Sequence, residues 1–196
     1  MGLALITKPA ERVIALEELK DQARQDDSVD KEEDALLGDL IDSATEFCQE
    51  FTRRQFLTAT YRLDLAKFTN VIRLPRAPLQ SVTSVKYIDE NGALQTLGTD
   101  IYDEDKASEP GAIRKAFNKF WPVTRRVFNA VQITFVAGWS KQEDVPASLR
   151  QAVKMLAASH YENREAVSVL PPGSQASEIS MATRSLLWSQ RILELR

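Results

Sequence analysis

Apolar side chains recur at helical spacing in two long stretches of this chain. From Val145 to Val167 they are Leu149, Ala152, Val153, Leu156, Ala157, His160 and Tyr161, with Arg150, Gln151, Lys154 and Glu162 on the opposite side. Pro146 suits a first helical turn, where a missing N–H costs nothing, and Asp144 before it favours the positive end of the helix dipole. From Asp34 to Phe51 the stripe is Leu37, Leu40, Ile41, Ala44, Phe47, Cys48 and Phe51. Each stripe needs a partner, and the two helices are expected to form the core pair. Leu16 to Arg24 predicts a short first helix, whereas residues 1–14, broken by Pro9, read as irregular. Asp30 followed by Glu33 has capping-box spacing and places the start of the second helix there. That helix is expected to end near Thr52 to Arg54, with Arg53 and Arg54 complementing the negative end of its dipole.

Beyond Arg54 the period changes to alternation. Leu57 to Leu65 sets Tyr61, Leu63 and Leu65 against Arg62 and Asp64, and Val71 to Leu74 is a short strand stopped by Pro75 and Pro78. Val82 to Ile88 and Ala93 to Leu97 flank Asp89-Glu90-Asn91-Gly92, a hairpin signal because Asn and Gly both accept positive φ. Ile101 to Tyr102, Ala112 to Ala116 and Val131 to Val136 are further strand candidates. After the long helix, Ser168 to Ser177 has linker composition, and the apolar run Ile179 to Leu195 is expected to be helical. Its face is expected either to fold back on the chain's own domain or to dock on a partner. The pattern predicts an α+β fold: a small helical bundle with an inserted antiparallel β region and a C-terminal helical tail. Its expected divisions are 1–56, 57–137, 138–167 and 168–196.

Composition adds limits. At 22.0 kDa and 43% apolar residues the chain suits one ordinary domain, or one domain with a sizeable insertion. Cys48 is the only cysteine, so no intramolecular disulfide forms, and its apolar helix face reads as a small buried hydrophobe. The opening MGLALITK is too short for a signal peptide or membrane span, and Ile6 stands where myristoylation wants Ser or Thr. A cytoplasmic product with no membrane partner is expected.

Charge is unevenly distributed. Glu17 to Glu50 carries thirteen acidic and three basic residues, whereas Phe51 to Ala130 carries thirteen basic and eight acidic. Solvated helix faces account for part of this split; the alternative is that acidic and basic surfaces meet across a subunit contact. Arg73, Arg76, Arg114, Lys115, Lys119, Arg125 and Arg126 lie in the β region, near Phe117, Phe120 and Trp121. A sequence pI of about 5.4 argues against direct nucleic-acid recognition, and these aromatics are expected to plug the core.

Catalytic chemistry finds little support. The one histidine, His160, lies on a core stripe, and no zinc, phosphate-loop, dinucleotide or nucleophile-elbow motif occurs. The carboxylate runs at Asp26-Asp27 and Glu32 to Asp34 lack histidine neighbours and read as surface charge. No enzyme activity, metal or cofactor is expected.

Taken in order, the series LEELK, DALLGDLIDSATEFCQEFTRRQF, IRLPRAPLQSVTSVKYIDENGALQTL, FWP, VQITFVAGW, VPASLRQAVKMLAASHYENREAV and SLLWSQRI resembles the head-to-tail connector, or adaptor, family of tailed bacteriophages. The likeness runs from about residue 15 to 192. It is carried by Thr52, Arg54 and Phe56, by Leu74 to Pro78, by Ala137 to Trp139 and by Tyr161 to Glu165.

The resemblance implies a structural virion protein, made in the bacterial host cytoplasm and placed in the neck at the head-tail junction. Its implied partners are copies of itself in a ring, generally a dodecamer, the portal above, and a neck or tail-completion protein below. DNA would pass through the channel without sequence recognition. An infectious phage, a prophage remnant and a gene transfer agent are equally compatible. A ring needs two different patches in contact, for which the acidic Asp39, Asp42 and Glu46 and the basic Arg73 and Arg76 are the candidates. The resemblance assigns portal binding to the C-terminal segment through Leu186, Leu187, Trp188 and Ile192. The alternative is a stand-alone α+β protein-binding module with no virion role.

Overall fold

The long stripes form helices because each offers an apolar face that another stripe can cover. The computed structural model describes residues 2–22, 31–162 and 180–193. Within them, α1 is Leu16–Gln22, α2 Lys31–Thr52, α3 Ala147–Glu162 and α4 Met181–Trp188. The chain divides into two compact units, Met1–Ala10 with Arg53–Lys141, and Glu11–Thr52 with Gln142–Arg196. All four helices belong to the second unit. There α3 packs against α1, α2 and α4, so the expected core pair of α2 and α3 is present. Leu37, Ile41, Ala44 and Cys48 of α2 are buried, as are Leu149, Ala152, Val153, Leu156 and Ala157 of α3. His160 and Tyr161, at the far end of the stripe, are only half-buried.

Pro146 lies just before α3, and its carbonyl accepts the Arg150 N–H at 3.2 Å. Asp30, residues 163–167 and the Ser168 to Ser177 linker lie outside the described residues, as does the side chain of Glu33.

The other unit holds the strands: β1 Gly2–Thr7, β2 Ala59–Leu65, β3 Val71–Arg73, β4 Leu79–Ile88, β5 Leu94–Thr96, β6 Tyr102–Asp105, β7 Ala112–Lys115 and β8 Val131–Ala137. They make an antiparallel sheet of order β1-β2-β8-β4-β5 and a second one of order β3-β7-β6. One apolar core serves both sheets, with Tyr61, Leu63, Val85, Ile133 and Phe135 from the larger and Ile72, Tyr102 and Ile113 from the smaller. The Tyr61 and Phe135 rings, opposite each other across β2 and β8, stack with centroids 5.9 Å apart.

Three expectations are corrected here. Residues 1–14 are not wholly irregular, because β1 pairs with the edge of β2 from Gly2↔Asp64 to Thr7↔Thr60. Its side chains are almost all exposed on both faces, so no alternation marked it in the sequence. Arg53 and Arg54 do not complete the last turn of α2: the helix stops at Thr52 and Arg53 takes the left-handed region at φ 59°. Beyond it, Arg54 turns inward and is buried. Finally, the hairpin stands at Ile88↔Leu94, yet of Asn91 and Gly92 only Gly92 has positive φ, at 89°. Asp89 closes that turn with its own carboxylate, which accepts the Ala93 N–H at 2.9 Å.

Candidate functional site

Four features stand out, three on the surface and one largely inside, and each is built within one unit. The first is the outer face of α2, where Leu36, Asp39, Asp42, Ser43, Glu46, Phe47 and Glu50 are all exposed. Arg12 crosses this face and forms two parallel hydrogen bonds to Asp42, Nε to Oδ1 and Nη2 to Oδ2, each 3.0 Å. Gly38 makes room, since a Cβ there would meet the Arg12 guanidinium. Hydrogen bonding to Asp42 raises the Arg12 pKa despite partial burial, with the charges of Asp42 and Asp39 adding to the effect. Asp42 is therefore engaged within its own chain, whereas Asp39 and Glu46 make no ion pair among the described residues.

The second feature is the C-terminal hook of the same unit. Ser180 caps α4 by accepting the Thr183 N–H at 3.1 Å. After α4 the chain returns to α2, where the Ile192 N–H donates to the Thr52 carbonyl at 3.1 Å. The Arg191 guanidinium stands 5.1 Å from both the Phe51 and Trp188 ring centroids, a cation–π arrangement that holds the hook against α2. Of the four residues expected to grip a portal, Leu187 and Ile192 are buried in this packing and Leu186 is half-buried. Trp188 remains 53% exposed, alongside exposed Met181 and Leu193.

The third feature gathers residues of three of the motifs that carried the sequence resemblance, whereas Tyr161 lies on α3 in the other unit. Arg54 forks onto Glu109, Gln55 N–H donates to the Ala77 carbonyl at 2.9 Å, and Trp139 N–H donates to the Phe56 carbonyl at 3.0 Å. Gly138, at φ 106°, lies so close to Leu57 that a Cβ would overlap its carbonyl. The Tyr61 hydroxyl donates to Gln55 Oε1 at 2.7 Å. Arg54, Gln55, Phe56, Leu57 and Tyr61 are buried here, with Trp139 half-buried and Glu109 reaching the surface, which is the arrangement of a structural knot. Glu109 is held below its ordinary pKa first by the Arg54 hydrogen bonds, which outweigh partial burial, and then by the Arg54 charge. Of the proposed basic patch, Arg73 is exposed on β3, and Arg76 is half-buried at φ 70°. Neither is without a partner.

The fourth feature is the loop 116–130 between β7 and β8, and it overturns the expectation that its aromatics plug the core. Trp121 alone does so in part, stacking on Phe68 with centroids 4.6 Å apart. Phe117 and Phe120 point outward, as does Phe128, with exposures of 90%, 81% and 91%. The sequence hid this because the loop follows neither a strand nor a helix period. Three outward Phe among Asn, Lys and Arg were the available signal.

No group of three or more His, Cys, Asp or Glu that could hold a metal occurs among the described residues. No helix among them is long and apolar enough to cross a membrane. Burial pushes the Cys48 thiol up to about 12.

A family model for the phage gp6-like head-tail connector protein matches residues 13–108 and 111–185. The chain belongs to the phage gp6-like head-tail connector family. It is thus a structural connector of the virion, acting at the head-tail junction. No curated protein matches the connector's sequence. Among solved structures, the connector is similar to a chain in the virion of a native gene transfer agent particle, with 22% identity and a TM-score of 0.79. It is likewise similar to chains in the neck of an empty particle computed with C6 symmetry (22%, 0.79) and of a native particle computed with C12 symmetry (21%, 0.77). Each alignment covers 100% of the connector and 98% of the other chain. At this identity the likeness establishes the shared fold.

Proposed function

We propose that this connector assembles as a closed ring, a dodecamer, beneath the portal. In this reading it is a small helical bundle interrupted by a β insertion, and it presents its lower face to the next neck or tail-completion protein. DNA crosses the ring without being read. The observation that carries the reading is family membership over nearly the whole chain, joined to a fold shared end to end with chains of particle necks computed with C12 and C6 symmetry. A non-catalytic role accords with this reading.

A closed ring needs a heterologous contact, in which one patch meets a different patch on the neighbour. The acidic outer face of α2, through Asp39, Asp42 and Glu46, supplies one. A basic face of the β unit that includes Arg73 and Arg76 supplies the other. The C-terminal hook engages the portal, with Trp188 as the accessible anchor of the set Leu186, Leu187, Trp188 and Ile192. Large exposed aromatics at such positions dominate binding energy when a partner covers them.

The test is native mass, by mass photometry, of the purified chain alone and mixed with the portal encoded beside it. One connector per portal subunit is expected. Absence of a complex across a salt series would overturn the reading.

A further inference from the structure

We infer that the loop 116–130 is a preformed docking edge that receives the acidic outer face of α2 from a second copy of this chain. The inference rests on the ring reading above and places the basic side of the contact at this loop instead of at Arg73 and Arg76.

The loop's conformation is fixed at several points. Trp121 stacks on Phe68 with an interplanar angle of 4°, and its Nε1–H donates to the Thr69 carbonyl at 2.9 Å. Lys119 pairs with Asp100 at 2.8 Å, and Arg125 N–H donates to the Ile88 carbonyl at 3.1 Å. Asn118 and Asn129 adopt φ of 54° and 55°, turning the chain on either side of this anchored segment. Beside exposed Arg125 and Arg126, these anchors leave large apolar side chains outside: Phe117, Phe120 and Phe128, with Val123 66% exposed. Ordering a loop while turning three phenyl rings to solvent is unfavourable in a lone subunit and becomes favourable once a partner covers them.

The chemistry of the partner is written beside the rings. An open groove runs along the loop, lined by Ala66, Lys67, Thr124, Arg125, Arg126, Val127 and Phe128, with three cations and no carboxylate. Lys67 and Arg126 make no ion pair among the described residues. The groove thus asks for a segment that is both acidic and apolar. The outer face of α2 has that composition: Leu36, Asp39, Ser43, Glu46 and Phe47 follow one another at helical spacing, all exposed. A helix of this kind laid into a cationic groove edged by Phe128 is a recurrent recognition geometry, with apolar anchors supplying contact and opposite charge setting register. The two surfaces lie on different patches of the chain, as a ring contact requires.

The test is a charge swap in the full chain assembled on the portal, read as the fraction of ring by mass photometry. Lys67→Glu with Arg126→Glu is expected to lower that fraction at least about tenfold, and Asp39→Lys with Glu46→Lys to do the same. All four changes together are expected to restore it to within about twofold of the native chain. Since these side chains are exposed, thermal melting should not move, and the triple variant Phe117→Ser, Phe120→Ser, Phe128→Ser checks the apolar half independently by the same readout.

Failure of the native chain to form a ring would sink the ring reading and this contact with it. A native ring that survives both the loop reversal and the triple Phe variant would overturn this contact alone. So would a ring lost on loop reversal but not restored by the swap. A ring that persists while duplex DNA is released at lower salt would place the loop on the channel wall instead.

Discussion

Arg54 and Glu109 are 55 positions apart, yet the guanidinium donates two hydrogen bonds to the carboxylate, Nη1 to Oε1 at 2.8 Å and Nη2 to Oε2 at 2.5 Å. The pair ties the strand-side exit of α2 to the loop after β6. Arg54 is largely buried there, with the Trp139 ring centroid 6.0 Å away. Glu109→Gln should cost about 1–2 kcal/mol, less than a fully buried pair because the Glu109 side chain is 43% exposed. The effect should also depend on pH. Arg54 lowers the folded-state pKa of Glu109 from its ordinary 4.5, so the contribution is complete above about 4.5 and is lost as pH falls through the folded value. Melting curves of the native chain and the variant should therefore differ near neutrality and converge in acid. A constant offset down to low pH would show that the pair's ionisation does not matter.

Gly138→Ala should destabilise the β unit by about 2–4 kcal/mol, because it combines a positive φ with a Cβ driven into backbone. The Gly138 N–H donates to the Pro78 carbonyl at 2.9 Å, and its own carbonyl accepts from Gln80 Nε2 at 2.7 Å, so the peptide cannot swing away cheaply. Urea denaturation is the measurement. A loss below about 0.5 kcal/mol would mean that Leu57 relaxes freely.

How far the sequence foretold this depended on whether a residue's surroundings repeat with a period. Leu37, Ile41, Leu149 and Val153 were legible as core because each sits on a stripe that any partner helix buries. Tyr61, Leu63, Ile133 and Phe135 were legible by alternation. Leu3 and Leu5 were not, because β1 is an edge whose order comes from pairing with β2 and not from a buried face. Arg54 was misread as a dipole complement because its partner Glu109 is remote in sequence. Phe117 and Phe120 were misread because hydrophobicity was equated with burial. The acidic candidates Asp39, Asp42 and Glu46 do share one exposed face, as helical spacing implied, but only the structure reveals that Arg12 already engages Asp42.

Cys48 should be inert in the folded chain. Its thiol is fully buried on α2, and desolvation raises its pKa to about 12, so almost no thiolate exists at pH 8. Reaction with an aromatic disulfide reagent should await unfolding and follow its rate. Rapid stoichiometric labelling of native protein would contradict the packing of α2 on α3. The same inertness makes the chain a clean background for cysteines placed on its surface.

The C-terminal hook packs within its own unit and is proposed to engage the portal, two roles that a deletion cannot separate. Removing residues 178–196 would take away the proposed portal contacts, and it would also uncover the helical core that Leu187 and Ile192 fill. Single substitutions divide the two. Leu187→Ala should cost about 2–5 kcal/mol, as for a fully buried leucine, and should weaken portal binding only through the lost stability. Trp188→Ala removes a half-exposed ring that touches Phe51 and Arg191, so its effect on unfolding should be much smaller. If the hook grips the portal, Trp188→Ala should lower affinity by at least about tenfold while the melting temperature moves by only a few degrees. Portal titrations monitored by mass photometry, paired with thermal melts of each variant, separate the outcomes. Unchanged affinity in Trp188→Ala would assign the hook to packing within its own helical unit.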